Sequence, residues 1–194
     1  MKRKSGYIFV LSLLFISMLL SMPSLGQMKS GQGELDWVKL NAAFKGATFV
    51  GNTKTCLECH DDIHGKYMGT AHGRTFELNP KGSLEATNCE TCHGPRSKHA
   101  EEPDQSLKFS VEQNTAVCMQ CHQGGERMHW KTSMHKTAEV GCVSCHTVME
   151  KRSQSALLSG ANQLEVCFSC HKDVQAKMNR NSRHPVKEGK VDCS

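Results

Sequence analysis

The apolar residues are unevenly distributed along the 194-residue chain. A continuous apolar run occupies residues 7–20, after a basic cluster at residues 2–4 and before a small-x-small cleavage site at residues 24–26. This order is typical of a secretory leader and predicts a signal peptide over residues 1–26. The alternative, an uncleaved membrane anchor, is disfavoured because the run is shorter than the roughly 20 residues that a bilayer requires and Pro23 ends it.

Beyond the leader, the apolar residues follow helical rather than alternating spacing. One such pattern predicts a short helix over residues 35–44, within a lead segment over residues 27–55. A second predicts a longer helix over residues 162–179, with Phe168, Val174 and Met178 facing inward. Because no convincing run alternates between apolar and polar residues, we expect a mostly irregular fold with short α-helices and little or no β-sheet.

The composition argues against a nucleic-acid-binding protein and against a secreted protein built on disulfides. The net charge is +5, and removing the leader would lower it to about +2, which is too weak to indicate nucleic-acid binding. The chain has 11 cysteines, which in an exported protein would ordinarily predict disulfides, but 11 is odd. Aromatic residues make up only 6% of the chain, so ordinary side chains predict a thin core.

Ten of the cysteines lie in five C-x-x-C-H motifs. These are CLECH at 56–60, CETCH at 89–93, CMQCH at 118–122, CVSCH at 142–146 and CFSCH at 167–171. A zinc site uses paired cysteines but gives no reason for histidine to follow five times. A redox dithiol needs one C-x-x-C near a βαβ unit, and no such alternation is visible. Covalent c-type haem explains the whole pattern, with two thioether cysteines and an axial histidine in each motif.

The sequence therefore predicts five covalently bound haem c groups and an extended, haem-packed core. A short helical turn should begin at each motif. The predicted thioether cysteines are Cys56, Cys59, Cys89, Cys92, Cys118, Cys121, Cys142, Cys145, Cys167 and Cys170. The predicted proximal iron ligands are His60, His93, His122, His146 and His171.

Five irons also need five distal ligands, and six histidines remain for them. These are His64, His72, His99, His129, His135 and His184. Met128 and Met134 flank candidate histidines and are alternative ligands, although methionine more often serves packing. Two imidazoles favour ferric iron more than a histidine and methionine pair does, which predicts low reduction potentials.

The haem motifs are arranged as a repeat. A small-hydroxyl-x-His unit at residues 70–72, 133–135 and 182–184 precedes the next cysteine pair each time, which indicates a two-haem module. Cys193 continues the spacing of the motif starts. We therefore expect a haem domain over residues 56–194 with a sixth motif truncated at Cys193. A free C-terminal cysteine is the alternative.

Several stretches resemble the multihaem c-type cytochromes with doubled CxxCH motifs, and most closely the DmsE-type decahaem cytochromes, which include the Mtr and Pio electron conduits. The stretches are GATFVGNTKTCLECH, CETCHGPRSKH and LLSGANQLEVCFSCH followed by HPVKEGKVDC. The resemblance implies a periplasmic protein with about ten bis-histidine haems at full length. It also implies an outer-membrane β-barrel partner and extracellular or periplasmic redox partner cytochromes.

The resemblance carries over to some residues and departs at others. His72, His99, His135 and His184 match distal-ligand positions of the family, whereas His64 and His129 match less well. Arg96 stands where the family commonly has glycine, and the five complete motifs are half of the family's number.

Three functions remain open from the sequence. The leading one is a conduit subunit that transfers electrons along its haems, and the second is a freestanding pentahaem periplasmic carrier that donates electrons to a reductase. A multihaem nitrite or hydroxylamine enzyme is disfavoured because such enzymes need one open or unusual axial position, and all five motifs end in histidine.

Overall fold

The computed structural model describes residues 35–103 and 107–193, so the predicted signal peptide lies outside the described residues. The α-helices are Trp37–Leu40, Thr53–Met68, Ala71–Leu78, Ser83–Ala86, Cys89–His93, Ser97–Glu101, Val111–Cys118, Met134–Thr137, Cys142–Cys145, Gln163–Cys170 and Lys172–Lys177. Ala42–Phe44 and Gly125–Thr132 form 3-10 helices. Strand pairing in the described ranges is limited to one isolated antiparallel bridge, between His146 and Leu158. The predicted fold of short helices with little or no sheet is confirmed.

The predicted helix over residues 35–44 is shorter and divided. Asn41 is both the C-cap of Trp37–Leu40 and the N-cap of Ala42–Phe44, and its side chain accepts a 3.0 Å hydrogen bond from the amide of Ala43. An asparagine side chain competes with helical backbone bonds in this way, so the single predicted helix was wrong at this residue.

The predicted helix over residues 162–179 is likewise interrupted. Asn162 caps Gln163–Cys170, but His171 adopts a non-helical backbone with φ −87° and ψ 64°, and a second helix, Lys172–Lys177, follows. Phe168 is buried, as predicted. The interruption falls on His171, the histidine of the fifth motif, which lies between the two helices.

A small aromatic cluster forms the described apolar core. The Trp37 ring lies 5.4 Å from that of Phe44 and 6.4 Å from that of Phe109. Val117 and Cys92 pack against the same cluster, so a haem-motif cysteine borders the core directly. No helix in the described ranges is both long and apolar enough to cross a membrane.

Gly94 joins this core to the second motif and provides a test of the packing. Its φ is +74°, and a Cβ atom there would lie 2.6 Å from Trp37 and 2.9 Å from Phe44. We expect Gly94→Ala to lower the free energy of unfolding by roughly 1–3 kcal/mol more than Gly51→Ala, because the added methyl overpacks the cluster.

Gly51 is the matched control for this prediction because its φ is +73° but a methyl group at that position would meet no atom within 4 Å. Both variants place a non-glycine residue at positive φ, and Gly94→Ala carries a further backbone cost because the ψ of Gly94, −175°, lies in a region that glycine almost alone adopts. Thermal unfolding of both would measure the difference, and equal losses would mean that the cluster accommodates the methyl.

Candidate haem-binding sites

Each motif forms, or ends, one helical turn that gathers its two cysteines and its histidine. In three motifs the histidine amide donates a hydrogen bond to the carbonyl of the first cysteine, at 3.0 Å for His122, 2.9 Å for His146 and 3.0 Å for His171. This i to i+4 bond places the side chains of one motif on adjacent faces of the same turn. The sequence predicted that helical turns begin at each motif, which holds for Cys89–His93 and Cys142–Cys145 but is wrong for the other three, which lie within or at the end of a helix.

The proximal histidine of the fourth motif is oriented by the backbone. Nδ1 of His146 lies 2.8 Å from the carbonyl oxygen of Ala156. An imidazole that donates Nδ1–H to a carbonyl keeps the lone pair of Nε2 for a metal, which is the usual arrangement of a ligand histidine. Ala156 and Leu157 reach this position with left-handed backbones, at φ 58° and 48°.

The surroundings of the second motif favour the neutral form of its histidine. Desolvation, and to a lesser extent the charges of Arg96 and His60, lower the pKa of His93 to about 4, although the residue is exposed. Neutral imidazole is the form that binds a metal. Arg96, which stands where the related sequences commonly have glycine, has φ −120° and ψ 16°, a backbone that does not require glycine.

The first cysteines of consecutive motifs meet in pairs. The thiols of Cys56 and Cys89 lie close enough to affect each other's pKa, and the thiol of Cys142 lies close enough to affect the pKa of Cys118. Burial raises the pKa of Cys89 and of Cys118 to about 12, and the neighbouring thiol raises each further. The first and second motifs therefore adjoin through their first cysteines, as do the third and fourth.

The second cysteines of the other neighbouring motifs also affect one another. Burial raises the pKa of Cys92 to about 11, and the charge of Cys121 raises it further. Burial also raises the pKa of Cys145, with a further contribution from the charge of Cys170. The second motif therefore lies near the third, and the fourth lies near the fifth. The five motifs thus follow one another in space in the order in which they occur along the chain.

Cys193 lies near the first cysteine of the fifth motif. Burial raises the pKa of Cys167, and the thiol of Cys193 raises it further through its charge and a shared hydrogen bond. All eleven cysteines lie in the described ranges and none forms a disulfide.

Three pairs of imidazole rings lie with their centroids about 6 Å apart. They are His60 and His99 at 6.1 Å, His72 and His122 at 5.8 Å, and His135 and His171 at 6.0 Å. Each pair joins one motif histidine to one of the six additional histidines. One iron bound between two opposed imidazole nitrogens, at about 2 Å from each, would separate the centroids by roughly 6 Å. The residues present therefore fit bis-histidine ligation at three motifs.

Local capping positions two of these additional histidines. Thr70 is fully buried and caps Ala71–Leu78, accepting a 3.0 Å hydrogen bond from the amide of Gly73. Ser133 caps Met134–Thr137 in the same way. The small-hydroxyl-x-His unit thus places the histidine at the second residue of a short helix. In the third copy, by contrast, residues 181–184 are non-helical and His184 is exposed.

The remaining candidates differ in their surroundings. Nε2 of His64 is buried and has no hydrogen-bond partner, so it is available to a metal. His129 is exposed in the 3-10 helix Gly125–Thr132. Met134 is 81% exposed, which does not favour it as an iron ligand. Within the described residues, no three His, Cys, Asp or Glu side chains gather as a metal-ion cluster.

The sequence analysis did not identify two residues that shape these sites. Gly73 follows His72, and a Cβ atom there would lie 2.1 Å from the carbonyl oxygen of Tyr67. Glu90 lies between the cysteines of the second motif and is 2% exposed. The sequence did offer a signal for Gly73, because glycine is unusual in the first turn of a helix. Glu58, also inside a motif, is exposed, so position in the motif gave no signal for the latter.

Comparisons with known proteins agree with this chemistry. Residues 135–176 match the family described as doubled CXXCH motif, and residues 28–94 match the family described as cytochrome c554 and c-prime. The multiheme cytochrome MtrA of Shewanella baltica is 34% identical over 150 residues, which cover 72% of this chain and 44% of MtrA.

A second relative is more distant. The cytochrome c-type protein NrfB of Haemophilus influenzae is 24% identical over 149 residues, covering 63% of this chain and 66% of NrfB. The chain thus spans less than two thirds of the length of either relative. No solved structure matches.

Proposed function

Since this chain is a multihaem c-type cytochrome with paired CXXCH motifs, we propose that it transfers electrons along five covalently attached haems placed in motif order. The observation that carries the proposal is the alternation of neighbouring cysteines, first with first and second with second, from Cys56 to Cys170. Bound haem supplies a one-electron ferric and ferrous couple. This order of the cysteines would place each attachment site beside the next.

The ring pairs support a specific set of axial ligands. His60 would share its iron with His99, His122 with His72, and His171 with His135. His64, His129 and His184 would then serve the irons of His93 and His146, with one to spare. His64 is favoured for one of them by its buried, unpartnered Nε2.

We further propose that this chain works in the periplasm as part of an outer-membrane electron conduit. The similarity to MtrA supports this role. In it, a β-barrel partner would surround the cytochrome, and partner cytochromes would exchange electrons with its two ends. Because the conduits it resembles carry about ten haems, this role requires a longer chain with further motifs.

The alternative is a freestanding pentahaem periplasmic carrier that donates electrons to a reductase, and the similarity to NrfB supports it. A catalytic role in nitrite or hydroxylamine conversion is less well supported. All five motif histidines are present, and three of them have a second imidazole ring whose centroid lies about 6 Å away, which supports two histidine ligands at each of these three irons.

The intact mass of the protein from its native host separates the two carrier roles. About ten haems on a longer chain would support the conduit, whereas five haems on residues 27–194 would support the freestanding carrier and contradict the conduit. Because the intact mass reports the number of covalent haems and the chain length together, one mass spectrum distinguishes the two roles.

A potentiometric titration tests electron transfer itself. The five motifs should give five low-potential one-electron components, and their low-spin absorbance should change little on adding cyanide, because six-coordinate bis-histidine iron has no open position. Rapid cyanide binding by one haem would favour the catalytic alternative.

A further inference from the structure

Glu90 is a buried charge that neither the haem attachment nor the axial ligation explains. The residue is 2% exposed, which is unusual for a carboxylate, because an ion buried without partners is strongly destabilised. It occupies the first variable position of CETCH, between the thioether cysteines of the second motif.

Three backbone amides hold the carboxylate. Oε1 accepts hydrogen bonds from the amides of Val50 and Arg96, both at 2.9 Å, and Oε2 accepts one from Gly51 at 2.8 Å. Charge-assisted hydrogen bonds of this kind stabilise the ionised form of a carboxylate. They also tie residues 50–51, just before the first motif helix, to the turn that follows the second motif.

The carboxylate lies at the junction of the first two attachment sites. Burial raises the pKa of Cys56, and the negative charge of Glu90 raises it further. Cys56 lies close to Cys89, the residue next to Glu90. The charge is therefore close to a thioether cysteine of each of the two motifs.

Arg96 opposes this charge only in part. Its guanidinium lies 5.7 Å from the ring centroid of Phe44 and 6.0 Å from that of Phe109, and Glu90 accepts a hydrogen bond from its backbone amide. The positive charge is thus directed toward the aromatic cluster.

We infer that Glu90 is a positioning residue whose fixed negative charge lowers the reduction potentials of the two haems attached at Cys56–Cys59 and Cys89–Cys92. A buried negative charge stabilises ferric over ferrous iron, because reduction adds an electron beside it in a region of low dielectric constant. The inference rests on the electron-transfer function proposed above. It adds a direction, because lower potentials would make the haems of the first two motifs better electron donors and poorer electron acceptors.

The test is a potentiometric titration of Glu90→Gln, followed by haem absorbance. Two components should shift to higher potential, each by about a tenfold change in the ferric to ferrous equilibrium, which corresponds to about 59 mV for one electron. The other three should stay at their wild-type values. Glu58→Gln is the matched control, because it removes the same charge from an exposed position inside a haem motif. It should shift no component comparably.

Two further variants separate charge from packing. Glu90→Asp keeps the charge and shortens the side chain, so its potentials should remain near those of the wild type even if the protein melts earlier. Arg96→Met leaves Glu90 in place and removes the opposing charge, so it should shift the component of His93 to lower potential. This result can be obtained even if neither Glu90 variant folds.

Wild-type potentials in Glu90→Gln would overturn the inference and leave Glu90 a purely structural residue, whatever Arg96→Met shows. So would equal shifts in Glu90→Gln and Glu90→Asp, because these would follow loss of packing. Failure of the proposed function is distinct, since it would appear in the wild type as the absence of low-potential one-electron components.

Discussion

Replacing His135 by methionine is expected to raise the midpoint potential of one haem, the one attached at Cys167 and Cys170. The His135 ring lies 6.0 Å from that of His171, the histidine of the same motif. Methionine stabilises ferrous iron relative to imidazole, so a change from two histidines to a histidine and methionine pair should raise the potential by on the order of 100 mV or more. The other four components should not move.

The measurement is a potentiometric titration of the purified holoprotein. Lys136→Met is the matched control, because it introduces the same side chain one residue further along the same short helix, at an exposed position. His72→Met should also raise one component, but a different one, since His72 pairs with His122. If no component moves in His135→Met, His135 is not an iron ligand.

Replacing Gly73 by alanine is expected to destabilise the protein and displace His72 from its partner. A Cβ atom at Gly73 would lie 2.1 Å from the carbonyl oxygen of Tyr67 and 2.6 Å from its carbonyl carbon. Both are backbone atoms, so the helix Ala71–Leu78 must move away from the end of Thr53–Met68. The cost should be about 3 kcal/mol or more in the free energy of unfolding.

Displacement of His72 should also leave the third haem without its distal ligand. We expect a high-spin component in the absorption spectrum of Gly73→Ala that binds carbon monoxide after reduction, whereas the wild type should bind little. A low-spin spectrum combined with lower stability would mean that the helix shifts as a unit and carries His72 with it.

Gly65→Ala is the matched control for this variant. Gly65 lies in the neighbouring helix, and a Cβ atom there would meet nothing within 4 Å. Alanine is favoured over glycine inside a helix by about 0.5–1 kcal/mol, so this variant should be slightly more stable than the wild type. Equal destabilisation by both variants would contradict the clash at Gly73.

The sequence identified the features that depend on neighbouring residues. The C-x-x-C-H spacing predicted the helical turn at each motif because cysteines three residues apart and the following histidine share one turn. Thr70 and Ser133 were readable as parts of a repeat, and both cap short helices. In each case the determining contacts span only a few residues.

The predicted helix limits failed where a polar side chain or a motif histidine interrupts the backbone. Asn41 divides the first helix because its side chain accepts the amide hydrogen bond of the next turn. His171 divides the last one with a non-helical backbone. Helical periodicity alone does not detect these interruptions, since the apolar pattern continues across them.

By itself, the sequence determined the chemistry of this protein: the number of attachment motifs, the histidine in each and the supply of further ligands. Only the tertiary structure decided which histidine pairs with which motif. His72 follows the first motif but lies beside the histidine of the third, and His99 follows the second but lies beside that of the first. Burial of Glu90 is likewise decided by the return of residues 50–51 to the second motif. The physical reason is that attachment depends on residues within one helical turn, whereas ligand pairing and the field around each site depend on segments distant in sequence that meet only when the chain folds.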